Sequence, residues 1–208
     1  MGKGVVVVGN PTMPKVSAQI GEPPQQLPSL PGAEVEAKEV ALILKTKALI
    51  GGAATKATFL KQAATAGIIH LATHGLLYDF TGSDLPGAIA LVPSGKDNGL
   101  LTSSEILKLK LNAELVVLSA CNTGRGKITG DGVIGLSRSL ITAGVPSIVV
   151  SLWYIPDAPT ASLMSEFYRQ LERNPDKAVA MRQAMLVTIK KHPHPQNWAA
   201  FTLVGEAN

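Results

Sequence analysis

The chain of 208 residues is 46% hydrophobic and 16% charged, against the ~25% charge usual for globular proteins. With a mean hydropathy of +0.22 it has ample material for the core of one α/β domain, which excludes a disordered tail. Its 19 basic and 15 acidic residues give a pI near 9.2, but the basic ones are scattered, aromatics make up 4%, and no apolar run nears the ~18 residues of a membrane span, which argues against nucleic-acid and membrane partners.

Short apolar runs alternate with helical patterns, the mark of a mostly parallel sheet with helices on both faces. Residues 4–8 read as a strand, and the proline-rich stretch 10–32 as an exposed loop. A helix over 33–44, a strand over 48–50 and a helix over 56–64 follow. Residues 67–73 form a buried strand running straight into His74-Gly75. Further on come a strand over 88–92 and a short helix capped by Thr102 or Ser103. The most strand-like run, 115–120, ends at Cys121, and a polar, Gly-rich loop covers 125–131. A helix over 132–143 closes at Gly144, followed by a strand over 147–153, helices over 158–173 and 175–191, and a last strand over 201–204.

Two buried strands thus end in residues capable of chemistry, His74 and Cys121. In an open α/β sheet, groups at the carboxyl ends of strands face the crevice where ligands bind. A histidine and a cysteine presented there could form a dyad, the imidazole raising the thiolate fraction and later protonating a leaving amine. Their separation, 121 − 74 = 47 residues, is close to the ~50 found between the caspase histidine and cysteine. The alternative is that Cys121 is a small buried hydrophobe and His74 a turn residue. As the single cysteine, Cys121 also excludes an internal disulfide and points to a reducing, cytoplasmic compartment.

Several motifs occur in a characteristic order: His70-Leu-Ala-Thr-His74-Gly75, Leu115-Val-Val-Leu-Ser-Ala-Cys121-Asn-Thr-Gly124, Gly130-Asp-Gly-Val-Ile-Gly-Leu136, Ala143-Gly144, Ser151-Leu-Trp153 and Trp198-Ala-Ala-Phe-Thr-Leu-Val-Gly205. From about Val5 to Gly205 the chain resembles the CHAT family, caspase-like cysteine peptidases of the clan that includes separase. The resemblance implies a caspase-like fold, peptide-bond hydrolysis in a protein or peptide substrate, His74 as catalytic histidine and Cys121 as nucleophile. It also implies an oxyanion hole from the backbone N–H groups of Gly75 and Cys121. Members of the clan generally work with a dyad, and no third orienting acid is evident in the sequence.

Asp157, in Trp153-Tyr-Ile-Pro-Asp157, resembles the separase aspartate that receives a basic P1 side chain. A carboxylate there would pair with Arg or Lys. The same residue also fits a cap for the helix from Ala158. Arg125 and Lys127 lie where caspase relatives are often cut, so a basic-specific enzyme could cleave itself there; passive flexibility of the Gly-rich loop is the plainer reading.

His70, His74, His192, His194 and Cys121 form no tetrahedral set of recognised spacing, and residues 124–129 lack the Walker Ser/Thr, so neither metal nor cofactor is expected. The rival from another class is a catalytically silent caspase-fold scaffold regulated by adjoining repeats. CHAT regions usually join upstream tetratricopeptide repeats or pseudo-peptidase segments, so residues 1–208 are expected to be one peptidase domain excised from a larger protein.

Overall fold

The computed structural model describes residues 2–17, 22–76, 86–119, 130–153 and 155–208, with only the backbone for 130–133. The chain opens with β1 (Gly4–Pro11), followed by a small antiparallel ribbon of β2 (Lys15–Val16) and β3 (Gln25–Gln26). Helix α1 (Pro31–Ile43) begins with a proline, whose missing N–H is one that a helix start leaves unpaired anyway. Then come β4 (Ala48–Gly51), α2 (Lys56–Ala63) with a Thr55 cap, β5 (Ala66–Ala72) and β6 (Gly75–Leu76). After β7 (Ala88–Ala90) and β8 (Leu100–Thr102), α3 (Ser103–Ile106) starts with a capping box between Thr102 and Glu105. The remainder is β9 (Leu115–Leu118), α4 (Gly130–Thr142), β10 (Ser147–Ser151), α5 (Asp157–Arg173), α6 (Lys177–Lys191) and β11 (Phe201–Gly205).

The main sheet has the order β11-β10-β9-β5-β1-β4, parallel except for β11. The chain passes from β1 to the β4 edge and returns to β5 on the other side of β1. The topological switch point therefore lies between β1 and β5, where ligands bind in open α/β sheets. Both faces are covered, so the strands are apolar on both sides. Val6, Val8, Ile69, Leu71, Val116, Leu118, Ile148 and Val150 face one core. Val7, Ala72, Leu115, Val117 and Val149 face the other, built with α1, α5 and α6. β6, β7 and β8 form a separate three-stranded antiparallel sheet.

The expected mostly parallel α/β architecture is what the chain forms, with local differences. The stretch 10–32 is not simply an exposed loop: Met13, Val16 and Leu27 are buried against Leu76, Ala88, Ala90 and Leu100 in a third small core. The strand expected over 147–153 stops at Ser151, and the Leu152 N–H donates to the Ala200 carbonyl over 2.8 Å. The strand expected over 115–120 ends at Leu118, and Ser119 donates its N–H to the Leu71 carbonyl at 3.1 Å. Gly144, expected to close a helix, does so with φ of +108°, a conformation side-chain-bearing residues avoid.

Candidate functional site

β5 carries His74 to the sheet's carboxyl edge. The strand is apolar except for His70 and lies between β1 and β9, and it ends where Thr73 and His74 cross into the smaller sheet. Two bonds fasten this crossing: Thr73 Oγ1 donates to the Ala90 carbonyl at 2.8 Å, and the Ala90 N–H donates to the His74 carbonyl at 2.9 Å.

The His74 side chain is 2% exposed, and its Nε2 lies 2.9 Å from the Pro28 carbonyl. A carbonyl accepts only, so Nε2 carries the proton and Nδ1 is the basic nitrogen of the neutral ring. Burial pushes the imidazole below its ordinary value near 6.5, and the Pro28 carbonyl, which favours the charged ring, opposes part of that shift.

Gly75 faces Ile89 across β6 and β7. Antiparallel ladders alternate hydrogen-bonded and non-bonded pairs. The bond from the Ala90 N–H to the His74 carbonyl makes 74/90 a bonded pair, which leaves 75/89 a non-bonded one. The Gly75 N–H therefore points away from β7, toward the outer side of this edge strand. A small pocket lined by Thr73, His74, Gly75, Ile89, Leu118 and Leu136 brings the ends of β5 and β9 together with α4.

Cys121, Arg125 and Lys127 lie outside the described residues. What precedes Cys121 is described: β9 runs parallel to β5 with Leu118 opposite Leu71. Cys121 follows Leu118 by three residues, as His74 follows Leu71.

Asp157 is exposed and is the first residue of α5, which leaves the neighbouring strand β10. It does not cap that helix: Pro156 holds the cap position and no side-chain bond is made there. Its carboxyl sits against Gly32 at the start of α1. The starts of α1 and α5 thus meet at this carboxylate.

The two histidines of the His70-Leu-Ala-Thr-His74 motif have separate surroundings. His70 is fully buried on the α1 and α5 side of the sheet, with Nδ1 3.1 Å from the Tyr168 hydroxyl and Nε2 3.1 Å from Glu36 Oε1. The motifs Ser151-Leu-Trp153 and Trp198-Ala-Ala-Phe201 meet through the antiparallel pairing of β10 with β11, and Trp153 Nε1 donates to the Gln196 carbonyl at 3.1 Å.

Sequence reasoning missed the Pro28 carbonyl, because it looked for an acidic side chain and the partner is main chain. The available signal was the proline-dense stretch preceding α1, which fixes backbone direction. Gly32 was missed too, since a close approach leaves no trace in periodicity.

Solved structures with this architecture include the Arg-specific cysteine proteinase gingipain R, at a TM-score of 0.56 and 12% identity, covering 98% of this chain and 46% of that one. The Saccharomyces cerevisiae separase in complex with securin aligns at a TM-score of 0.54 and 16% identity, covering 98% of this chain and 12% of that one. The fold is that of the caspase-like cysteine proteases. The family profile described as the CHAT domain matches residues 2–206, and the chain belongs to that family. Tetratricopeptide repeat protein 28 is 29% identical in Mus musculus and 30% in Homo sapiens over 234 aligned residues, covering 96% of this chain. The chain spans 9% of the length of those relatives. Among the described residues, no helix is long and apolar enough to cross a membrane.

Proposed function

We infer that this is a cysteine endopeptidase domain in which His74 and Cys121 form a catalytic dyad. The observation that carries the reading is His74 itself: buried at the carboxyl end of β5, with Nε2 committed to the Pro28 carbonyl and Nδ1 left as base. The equal offsets of His74 and Cys121 from the paired residues Leu71 and Leu118 support it.

In this mechanism Nδ1 of the neutral imidazole takes the Cys121 thiol proton, and the thiolate so formed attacks the scissile carbonyl. The Pro28 carbonyl stabilises the imidazolium so formed. The N–H groups of Gly75 and Cys121 hold the oxyanion, and the outward direction of the Gly75 N–H suits that task. The tetrahedral intermediate collapses as His74 delivers its proton to the leaving amine. Water then loses a proton to His74 as its oxygen attacks the acyl carbon; the C–S bond breaks, the carboxylic acid product leaves, and His74 returns the proton to the sulfur to restore the thiol. No step calls for a cofactor.

Asp157 is assigned to a basic P1 side chain, which its exposure and lack of a capping bond permit. With that preference, Arg125 and Lys127 become sites of self-cleavage. Intact mass with time, beside Cys121→Ala, tests this: no fragments from the wild type, or the same fragments from both, would remove the assignment.

The reading takes residues 1–208 as one domain of a longer cytoplasmic protein with repeats or a pseudo-peptidase segment upstream; the repeat name and length of the relatives support a longer chain with repeats. The same relatives favour a second reading, a caspase-fold scaffold without activity. Alkylation of Cys121 by iodoacetamide against pH, in wild type and His74→Ala, separates the two. The dyad requires a thiolate titrating below the ~8.5 of free cysteine, with the depression lost in His74→Ala. Slow labelling indifferent to His74 selects the scaffold.

A further inference from the structure

The fold contains a buried polar cluster that this mechanism does not use. Glu36 of α1, His70 of β5 and Tyr168 of α5 are 3%, 0% and 0% exposed. Each comes from a different element, and they meet on the sheet face opposite α2 and α4. The His70 and Tyr168 rings pack edge to face, with centroids 5.5 Å apart and planes at 68°. Burial and the Glu36 carboxylate push the Tyr168 hydroxyl well above its ordinary range, so it stays a neutral donor.

One proton arrangement serves all three groups: Tyr168 O–H donates to Nδ1 of His70, and Nε2–H faces Glu36. The 3.1 Å approach of Nε2 to Glu36 Oε1 is a close polar contact without hydrogen-bond alignment, and the Tyr168 bond is the directional one. Polar groups so deeply buried are costly unless their partners stay in place, so the cluster penalises sliding of α1 or α5 over β5.

The same elements determine the position of His74 and of its acceptor. His70 precedes His74 by four residues on one chain path. Pro28 precedes the start of α1 by three residues, and that short connection is pinned: Leu30 N–H and Ser29 Oγ donate to Asn10 Oδ1 at 2.8 and 3.1 Å. Donor and acceptor of the His74 bond are thus both referenced to the Glu36–His70–Tyr168 cluster, one through β5 and one through α1.

The geometry points to His70 as a positioning residue for the site, one that sets the alignment of His74 Nε2–H on the Pro28 carbonyl by locking α1 and α5 onto β5. The assignment rests on the peptidase reading only in taking His74 as the catalytic imidazole.

The test follows the imidazole signals of His74 by NMR, on the full chain and without substrate. Tyr168→Phe keeps the ring and removes the hydroxyl. His70→Leu removes both ring nitrogens, whereas His70→Gln keeps one donor and one acceptor. Tyr168→Phe and His70→Leu should accelerate solvent exchange of the His74 Nε2 proton by about tenfold, as local opening of the anchor becomes easier. They should also move the His74 titration further down, because the Pro28 bond that raises it is weakened. His70→Gln should restore both toward wild type. A folded Tyr168→Phe protein whose His74 exchange and titration match wild type would overturn the proposal, as would failure of His70→Gln to rescue a folded chain. Since the signals report on His74 alone, an unreactive Cys121 would defeat the peptidase reading and leave this result standing.

Discussion

Gly32 and Asp157 share one space: the Asp157 carboxyl occupies the volume that any side chain at residue 32 would need. The start of α1 and the start of α5 can therefore approach only because residue 32 lacks a Cβ. Gly32→Ala should lower unfolding free energy by roughly 1–3 kcal/mol, the usual range for overpacking. Asp157→Ala removes two of the three overlapping atoms, so the double variant should lose less than the sum of the singles. Urea unfolding of the four proteins measures this coupling. On the peptidase reading, Gly32→Ala also displaces the carboxylate and should weaken cleavage after Arg and Lys, as Asp157→Ala does. Additive stabilities would show that the two residues do not compete for space.

Stability should depend on pH through His74. Its folded-state value lies below the ordinary 6.5, chiefly through burial and despite the Pro28 carbonyl. Below 6.5 the unfolded chain binds the proton more readily than the folded one, so the His74 contribution is complete above that pH and is lost as pH falls toward the lowered folded value. His74→Gln, which cannot titrate, should flatten this part of the profile. Chemical unfolding between about pH 7.5 and 5 on both proteins gives the difference. A wild-type curve parallel to that of the variant would refute the assignment of the slope to His74.

Much of the fold was legible because apolar strands and capped helices announce themselves: the runs Val6–Val8, Leu115–Leu118 and Ser147–Val150 have little choice but to be buried. The positions of His74 and Gly75 at a strand end followed from the same pattern. What escaped was information held in the main chain and in long-range packing. The Pro28 carbonyl that anchors His74 has no side-chain signature. The two-residue strand Gly75–Leu76 is too short to show alternation, yet its pairing directs the Gly75 N–H. The segment 10–32 looked like an exposed loop because prolines suppress periodicity, although Met13, Val16 and Leu27 are buried. His70 was read as part of a family motif and an unconvincing metal ligand, with no structural role, since its partners Glu36 and Tyr168 lie 34 and 98 residues away.

Lys56 ties α2 to the smaller sheet and gives a prediction independent of the candidate chemistry. Its ammonium donates to the Leu100 carbonyl at 2.9 Å and to Glu105 Oε1 at 2.6 Å, and lies 3.3 Å from Asp97. Lys56→Met preserves the stem but leaves the Leu100 carbonyl without this donor, so stability should fall by roughly 1–3 kcal/mol. The loss should depend on acidity. Burial alone would raise the Glu105 carboxyl, but hydrogen bonds from Lys56 and Thr102 outweigh it and hold the group below 4.5. A lowered carboxylate stabilises the fold above its unfolded value, and that stability disappears as pH falls through the folded value. The gap between wild type and Lys56→Met should therefore be widest near neutral pH, begin to narrow below about 4.5 where the unfolded group takes up its proton, and narrow further until pH falls through the lowered folded value, where the pair itself is lost. Thermal unfolding across that range reads the gap directly. A gap that stays constant into acid would mean that Lys56 contributes through the Leu100 carbonyl and packing, with no share from the Glu105 pair.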